Sequence, residues 1–181
     1  MPLKNRFSNV SNRYPAIDSM TYCTAILTDK VKYEDIDKLL KYSDIIDHLS
    51  LTMYPYDKRF DQNILQDVLN SFNTWSIEWV EDTVNPSEKQ MINNSFRHIS
   101  TNWGAYSSFD DMFSVDQIVK AKRIIKQNPD IYTLYTKGGS KQYKLITRPS
   151  VFVQFHGNVN NPLLYKIKCQ CSNWKELCVK I

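Results

Sequence analysis

The sequence predicts an α+β fold: an N-terminal part of alternating strands and helices, then a helix and a mostly antiparallel C-terminal sheet. Three observations predict it. Through the first two-thirds of the 181 residues, apolar positions recur with period two and period 3.6 in turn. The last third reads as strands, with Gly138-Gly139 as a hairpin turn. The charge changes sign near the same boundary. Residues 1–116 hold 11 Lys and Arg against 17 Asp and Glu, while residues 117–181 hold 12 against 2.

Residues 1–19, with Asn5, Asn9, Asn12 and Pro15, read as a polar, irregular arm. Residues 20–181 read as one domain, acidic over 20–116 and basic and sheet-rich over 117–181. Thr21–Thr28 is β-branched and aromatic, as in a buried strand. Tyr33–Tyr42 places Ile36, Leu39 and Leu40 at helical spacing. Ile45–Tyr54 alternates Leu49, Leu51 and Met53 with Ser50 and Thr52, a half-buried strand. Asp61 can cap a helix running to Phe72. Trp75–Val80 alternates as a third strand, and Pro86-Ser87 opens a helix from Glu88 to about Asn102. Ser114 caps a helix over Val115–Gln127, stopped by Asn128-Pro129. Strands then follow at Asp130–Thr136, Gln142–Thr147, Ser150–Phe155 and Leu163–Cys171.

Hydrophobic content of 42% supports a core, and 4 Gly and 7 Pro argue against a long disordered tract. No run of eighteen apolar residues offers a membrane span. The first residues lack an apolar secretory core, and four Cys do not form a secreted disulfide pattern. These features point to a cytoplasmic protein. Frequent Asn, Tyr, Ile and Lys suggest an AT-rich coding genome, as in many phages, viruses and low-GC bacteria.

The basic last third supplies the leading functional expectation. Lys120, Lys122, Arg123 and Lys126 lie on the last helix; Lys137, Lys141, Lys144, Arg148, Lys166 and Lys168 follow on hairpins. Tyr132, Tyr135 and Tyr143 are interleaved with them. Cations neutralise phosphates and flat rings stack on unpaired bases. The pattern predicts a non-catalytic binder of nucleic acid, single-stranded by preference, in a replication, regulatory or assembly role. An acidic protein surface is the other partner such charge attracts. Complementary acidic and basic ends also allow a self-assembling homo-oligomer.

Two His-hydrophobic-Ser triplets, His48-Leu49-Ser50 and His98-Ile99-Ser100, carry the enzymatic alternative. They resemble the paired His-x-Ser/Thr motifs of the two-histidine phosphoesterases. That resemblance implies a metal-independent phosphodiesterase acting on cyclic nucleotides or oligonucleotides, with His48 and His98 as acid and base beside Ser50 and Ser100. It covers residues 21–80 best; at His98 the surrounding pattern is helical. Ile131–Gly139 loosely resembles the tyrosine motif of rolling-circle initiators, but the His-hydrophobic-His metal pair is missing. Cys169, Cys171 and Cys178 lack paired zinc-knuckle spacing, so no metal and no cofactor is expected.

Overall fold

The computed structural model describes residues 6–9, 16–60, 64–81, 83–87, 90–91, 94–95, 99–131, 133–137, 143–148 and 178–181. Its strands are β1 (Arg6–Asn9), β2 (Met20–Leu27), β3 (His48–Tyr54), β4 (Trp75–Trp79), β5 (Trp103–Tyr106), β6 (Thr133–Lys137), β7 (Tyr143–Thr147) and β8 (Cys178–Lys180). All eight join one sheet in the order β1-β4-β3-β2-β5-β7-β6-β8. The centre is parallel, with β3 between β4 and β2, and β5 on the far side of β2. β1 is antiparallel to β4, β7 to β5 and β6 to β7, while β8 runs parallel to β6.

The register sorts side chains onto two faces. Tyr22 pairs with Leu49 and Ala105, and Leu51 with Ile77, so these share a face. They join one apolar cluster with Ile36 and Leu39 of the 3₁₀ helix Tyr33–Tyr42, Leu65 and Val68 of α1 (Leu65–Asn70), and Ile118, Ala121 and Ile125 of α2 (Val115–Gln127). Each fully buried large side chain in it stabilises the fold by about 1.5–3 kcal/mol. Tyr42 donates its hydroxyl hydrogen to the Phe113 carbonyl, and the Phe113 N–H donates to the Tyr22 hydroxyl at 2.9 Å. The opposite face carries a buried polar stripe: Thr21, His48, Ser50, Thr52 and Ser76.

Many of the expected elements form. Ser114 caps α2, accepting from the Gln117 N–H while the Gln117 side chain accepts from the Ser114 N–H. The architecture differs from the expectation. Among the described residues there is no separate C-terminal antiparallel sheet; β6, β7 and β8 extend the sheet that holds the parallel strands. The physical reason is β5. It lies where the sequence pattern ran from a helix ending near Asn102 into loop, and residues 99–102 are not helical. Trp103–Tyr106 hydrogen-bonds to β2 on one side and β7 on the other, welding the two parts together. Within the expected arm, Arg6–Asn9 forms an edge strand. The Gly138-Gly139 turn and the strands expected at Ser150–Phe155 and Leu163–Cys171 lie outside the described residues.

Candidate functional site

The parallel strands run in the order β4-β3-β2-β5, so the chain winds outward from β2 in both directions. Side chains beyond the carboxyl ends of such strands meet at a crevice where the order reverses. Here the segments that follow β2, β3 and β5 meet that description.

After β2 and β3 a cleft of about 640 Å³ opens, lined by Thr28, Asp29, Val31, Tyr33, Pro55–Asp57 and Lys58–Phe60. Its walls are tied together at the strand ends. The Thr28 N–H donates to the Tyr54 carbonyl at 2.8 Å, and the Thr28 hydroxyl donates to the Pro55 carbonyl at 2.6 Å. Arg59 grips Asp57 with two side-chain donors, Nε to Oδ1 at 3.2 Å and a terminal nitrogen to Oδ2 at 2.9 Å. The guanidinium also lies 5.3 Å from the centre of the Tyr33 ring, which packs on Phe60 at 4.6 Å. Arg59 holds the Asp57 carboxyl below its ordinary range, first through the side-chain hydrogen bond. The cleft thus presents an aromatic wall and an ionised carboxylate side by side.

The segment after β5 folds into a 3₁₀ turn, Phe109–Asp111, with Phe109 in the core and Asp110 exposed. Lys144, on β7 beside the end of β5, is nine-tenths buried. Its ammonium lies 3.2 Å from Asp111 Oδ1, 3.4 Å from the Met112 carbonyl and 5.6 Å from the centre of the Phe113 ring. Asp111 Oδ2 is sealed from solvent and has no hydrogen-bond partner among the described residues. Burial and the ammoniums of Lys38 and Lys144 push the Lys41 pKa down.

Of the expected catalytic residues, His48, Ser50 and Ser100 sit elsewhere. His48 is fully buried under the polar face. The Ser76 hydroxyl lies 2.9 Å from its Nε2, and the hydroxyls of Ser100 and Thr21 lie 2.8 and 3.2 Å from its Nδ1. Ser50 donates to the Ser95 carbonyl at 2.7 Å. The structure therefore brings His48 and Ser100 together, and His98 lies outside the described residues. The ring ties three strands to the segment entering β5.

Several of the expected nucleic-acid-binding cations have partners within the molecule. Lys122 pairs with Asp47 at 3.5 Å, Lys126 with Asp18 at 3.4 Å and Lys144 with Asp111. Arg148 donates to the carbonyls of Ile131 and Pro129 and stacks 5.0 Å from the Trp103 ring centre. Lys120 and Arg123 are exposed on α2, and Tyr135 is half-buried on β6. The side chains of Lys137 and Tyr143, and all of Tyr132, Lys141, Lys166 and Lys168, lie outside the described residues. The acidic and basic parts of the chain mate within one fold.

No protein family matches the sequence, and no curated protein matches it. Solved structures match the fold. TarS from S. aureus superposes with a TM-score of 0.61 at 10% identity, over 83% of this chain and 54% of that one. The mannosyltransferase PcManGT from Pyrobaculum calidifontis, in complex with GDP-Man and Mn2+, gives 0.61 at 7% identity, over 96% and 58%. Glucosyl-3-phosphoglycerate synthase from Mycobacterium tuberculosis gives 0.58 at 9% identity, over 90% and 68%. TarS has also been solved with UDP-GlcNAc. The chain spans little more than half the length of TarS 1-349 and of the mannosyltransferase, and a third of the longer TarS chain. The fold is the Rossmann-type one of these proteins.

This match overturns the expected α+β division and the functions built on it. The nucleic-acid binder, the phosphodiesterase, the self-assembling protein, the acidic protein partner and the phage- or virus-type role find no support. The proteins sharing the fold are complexed with nucleotide sugars in two of these cases, and most of the described basic residues that suggested phosphate contacts have internal partners. No helix among the described residues is long and apolar enough to cross a membrane.

The Mn2+ of the mannosyltransferase raises the question of a metal here. A divalent ion needs several oxygens open to it. In the turn Asp110 is exposed, and Asp111 is part-exposed, with Oδ1 engaged by Lys144 and Oδ2 sealed. Among the described residues no three His, Cys, Asp or Glu side chains gather as a ligand set. Sequence reading passed over Tyr33, Asp57, Arg59 and Asp111. Their signal was polar residues directly after apolar strands, which becomes readable only once those strands are known to be parallel.

Proposed function

We propose that this chain captures a nucleotide sugar across the carboxyl ends of β2, β3 and β5 and takes part in transferring its glycosyl group. The observation that carries the reading is the cleft of about 640 Å³ at the carboxyl ends of β2 and β3, beside the point between β2 and β5 where the strand order reverses and doubly wound sheets take nucleotides. Its make-up suits a nucleoside. Tyr33 lends aromatic surface to the wall, with Phe60 buried behind it, and Asp57 is an ionised acceptor for base or ribose donors. The diphosphate then extends toward the Phe109–Asp111 turn. In transfer, the bond between the sugar anomeric carbon and the diphosphate oxygen breaks, leaving its electron pair on that oxygen. A bond forms from an acceptor hydroxyl oxygen to the same carbon, and the hydroxyl proton is released. A cytoplasmic location belongs to the same proposal, consistent with the free thiol of Cys23.

The test is ligand binding by calorimetry and saturation-transfer NMR, with UDP-GlcNAc and GDP-Man as probes. At least one should bind, and Asp57→Ala and Tyr33→Ala should each weaken it about tenfold or more. A single-stranded oligonucleotide should not compete. Failure of both sugar nucleotides to bind would overturn the reading.

A further inference from the structure

We infer that a second pocket, beyond the end of β4, is a binding site for a neutral carbohydrate and holds a sugar unit of the acceptor. The sugar binding stands on its own observations. Its acceptor role rests on the nucleotide-sugar reading above.

The pocket encloses about 360 Å³, a size at which small-molecule sites begin. Its lining mixes two kinds of surface. Trp79, Val84, Pro86 and Met91 supply apolar contact for the C–H face of a sugar ring. Glu78 and Glu81 bring acceptor oxygens, and Gln90 and Asn94 bring carboxamides that both donate and accept. Sugar hydroxyls also donate and accept, so they match this mixture. Among the described residues no Lys, Arg or His lines the pocket. A phosphate or carboxylate would meet two Glu side chains there and no cation, which favours a neutral ligand.

Unspent hydrogen-bonding capacity points the same way. Trp79 is 4% exposed, and its indole N–H, shielded from bulk solvent, has no partner among the described residues. A buried indole N–H ordinarily has one. It only donates, so an oxygen such as a hydroxyl is what completes it. The Asn94 amide nitrogen reaches the Thr52 hydroxyl only at 3.5 Å, a long contact. The Gln90 oxygen accepts from the Ser87 N–H at 2.8 Å, leaving its amide hydrogens for other acceptors.

Position gives the role. Tyr56, which lines the donor cleft, packs edge-on against Trp79 with ring centres 5.0 Å apart, so one aromatic pair walls both spaces. In the order β4-β3-β2-β5 the pocket lies three strands from β5, about 14 Å at the usual strand spacing. A sugar held there is therefore a unit of the acceptor set back from the hydroxyl that attacks.

The four Trp indole N–H signals, followed by NMR on the whole isotope-labelled chain, test this. Trp79→Phe assigns the Trp79 signal by removing it. The probes are the methyl glycosides of glucose, mannose and N-acetylglucosamine, with choline and inorganic phosphate as charged controls. At least one glycoside should move the Trp79 signal. Glu81→Ala, at an exposed position, should weaken that glycoside about tenfold. The same variant should keep its affinity for UDP-GlcNAc and GDP-Man within about twofold. A Trp79 signal that no glycoside moves, or that choline or phosphate moves in their place, overturns the inference. Undiminished glycoside binding by Glu81→Ala overturns it as well. Nucleotide sugars that bind while no glycoside does leave the donor reading intact. Glycosides that bind while both nucleotide sugars fail uphold the sugar site and remove its acceptor role.

Discussion

His48 shows how a residue with catalytic looks can be a joint. Its ring is fully buried, and hydroxyls of Ser76, Ser100 and Thr21 surround its two nitrogens. Replacing it with Ala removes the partner of the buried Ser76 hydroxyl and leaves a void beneath the sheet. The expected cost is about 3 kcal/mol or more. Ser100→Ala, at an exposed position, should cost about 1 kcal/mol. Urea melts measure both; equal losses would show that the ring is not the centre of the network. The triplet was legible in the sequence, but its burial was not, because the residues that cover it come fifty positions later. Asp57 makes the opposite case, silent in sequence and prominent in the fold. Its carboxyl is held below the ordinary range, chiefly by Arg59. A depressed carboxylate contributes stability above its unfolded pKa of about 3.9 and loses it as pH falls through the lower folded value. The Arg59 side-chain NMR signals should therefore stay constant from pH 8 to 5 and change only below about pH 4. Asp57→Asn should abolish that transition, and a midpoint above pH 5 would contradict the assigned cause.

At the scale of elements, legibility followed how local the signal was. The α2 start is written in Ser114-x-x-Gln117, and both hydrogen bonds of that capping box form. Ser114→Ala should lower stability by about 1 kcal/mol, read from thermal melts. An unchanged melting temperature would mean that packing of Ile118, Ala121 and Ile125 alone sets this end. β5 was not legible. Four residues with Gly104 among them carry too little period-two pattern, and the strand is specified by the edges of β2 and β7 on either side. The 3₁₀ form of Tyr33–Tyr42 likewise escaped the periodicity, which reported only that Ile36 and Leu39 face inward.

For the whole molecule, the charge split was visible in composition, yet its meaning lay in pairing that composition does not contain. Asp47 and Asp18 of the acidic part meet Lys122 and Lys126 on α2. Such part-exposed pairs contribute about 0–1 kcal/mol each and are screened by salt. Raising salt to 1 M should lower the melting temperature by a few degrees or less and leave the sedimentation coefficient unchanged. A change of oligomeric state with salt would show that the halves also attract between copies. The strand order has a consequence for synthesis. β2 is buried along almost its whole length, and its neighbour β5 lies more than eighty residues further along the chain. At about 5–20 residues per second, β2 waits roughly 4–17 s after leaving the ribosome before that edge can be closed. Through that interval an apolar strand with unpaired amides stands open to any passing partner. A nascent chain of this design should recruit a chaperone while it is still tethered, and release it once Tyr106 has emerged.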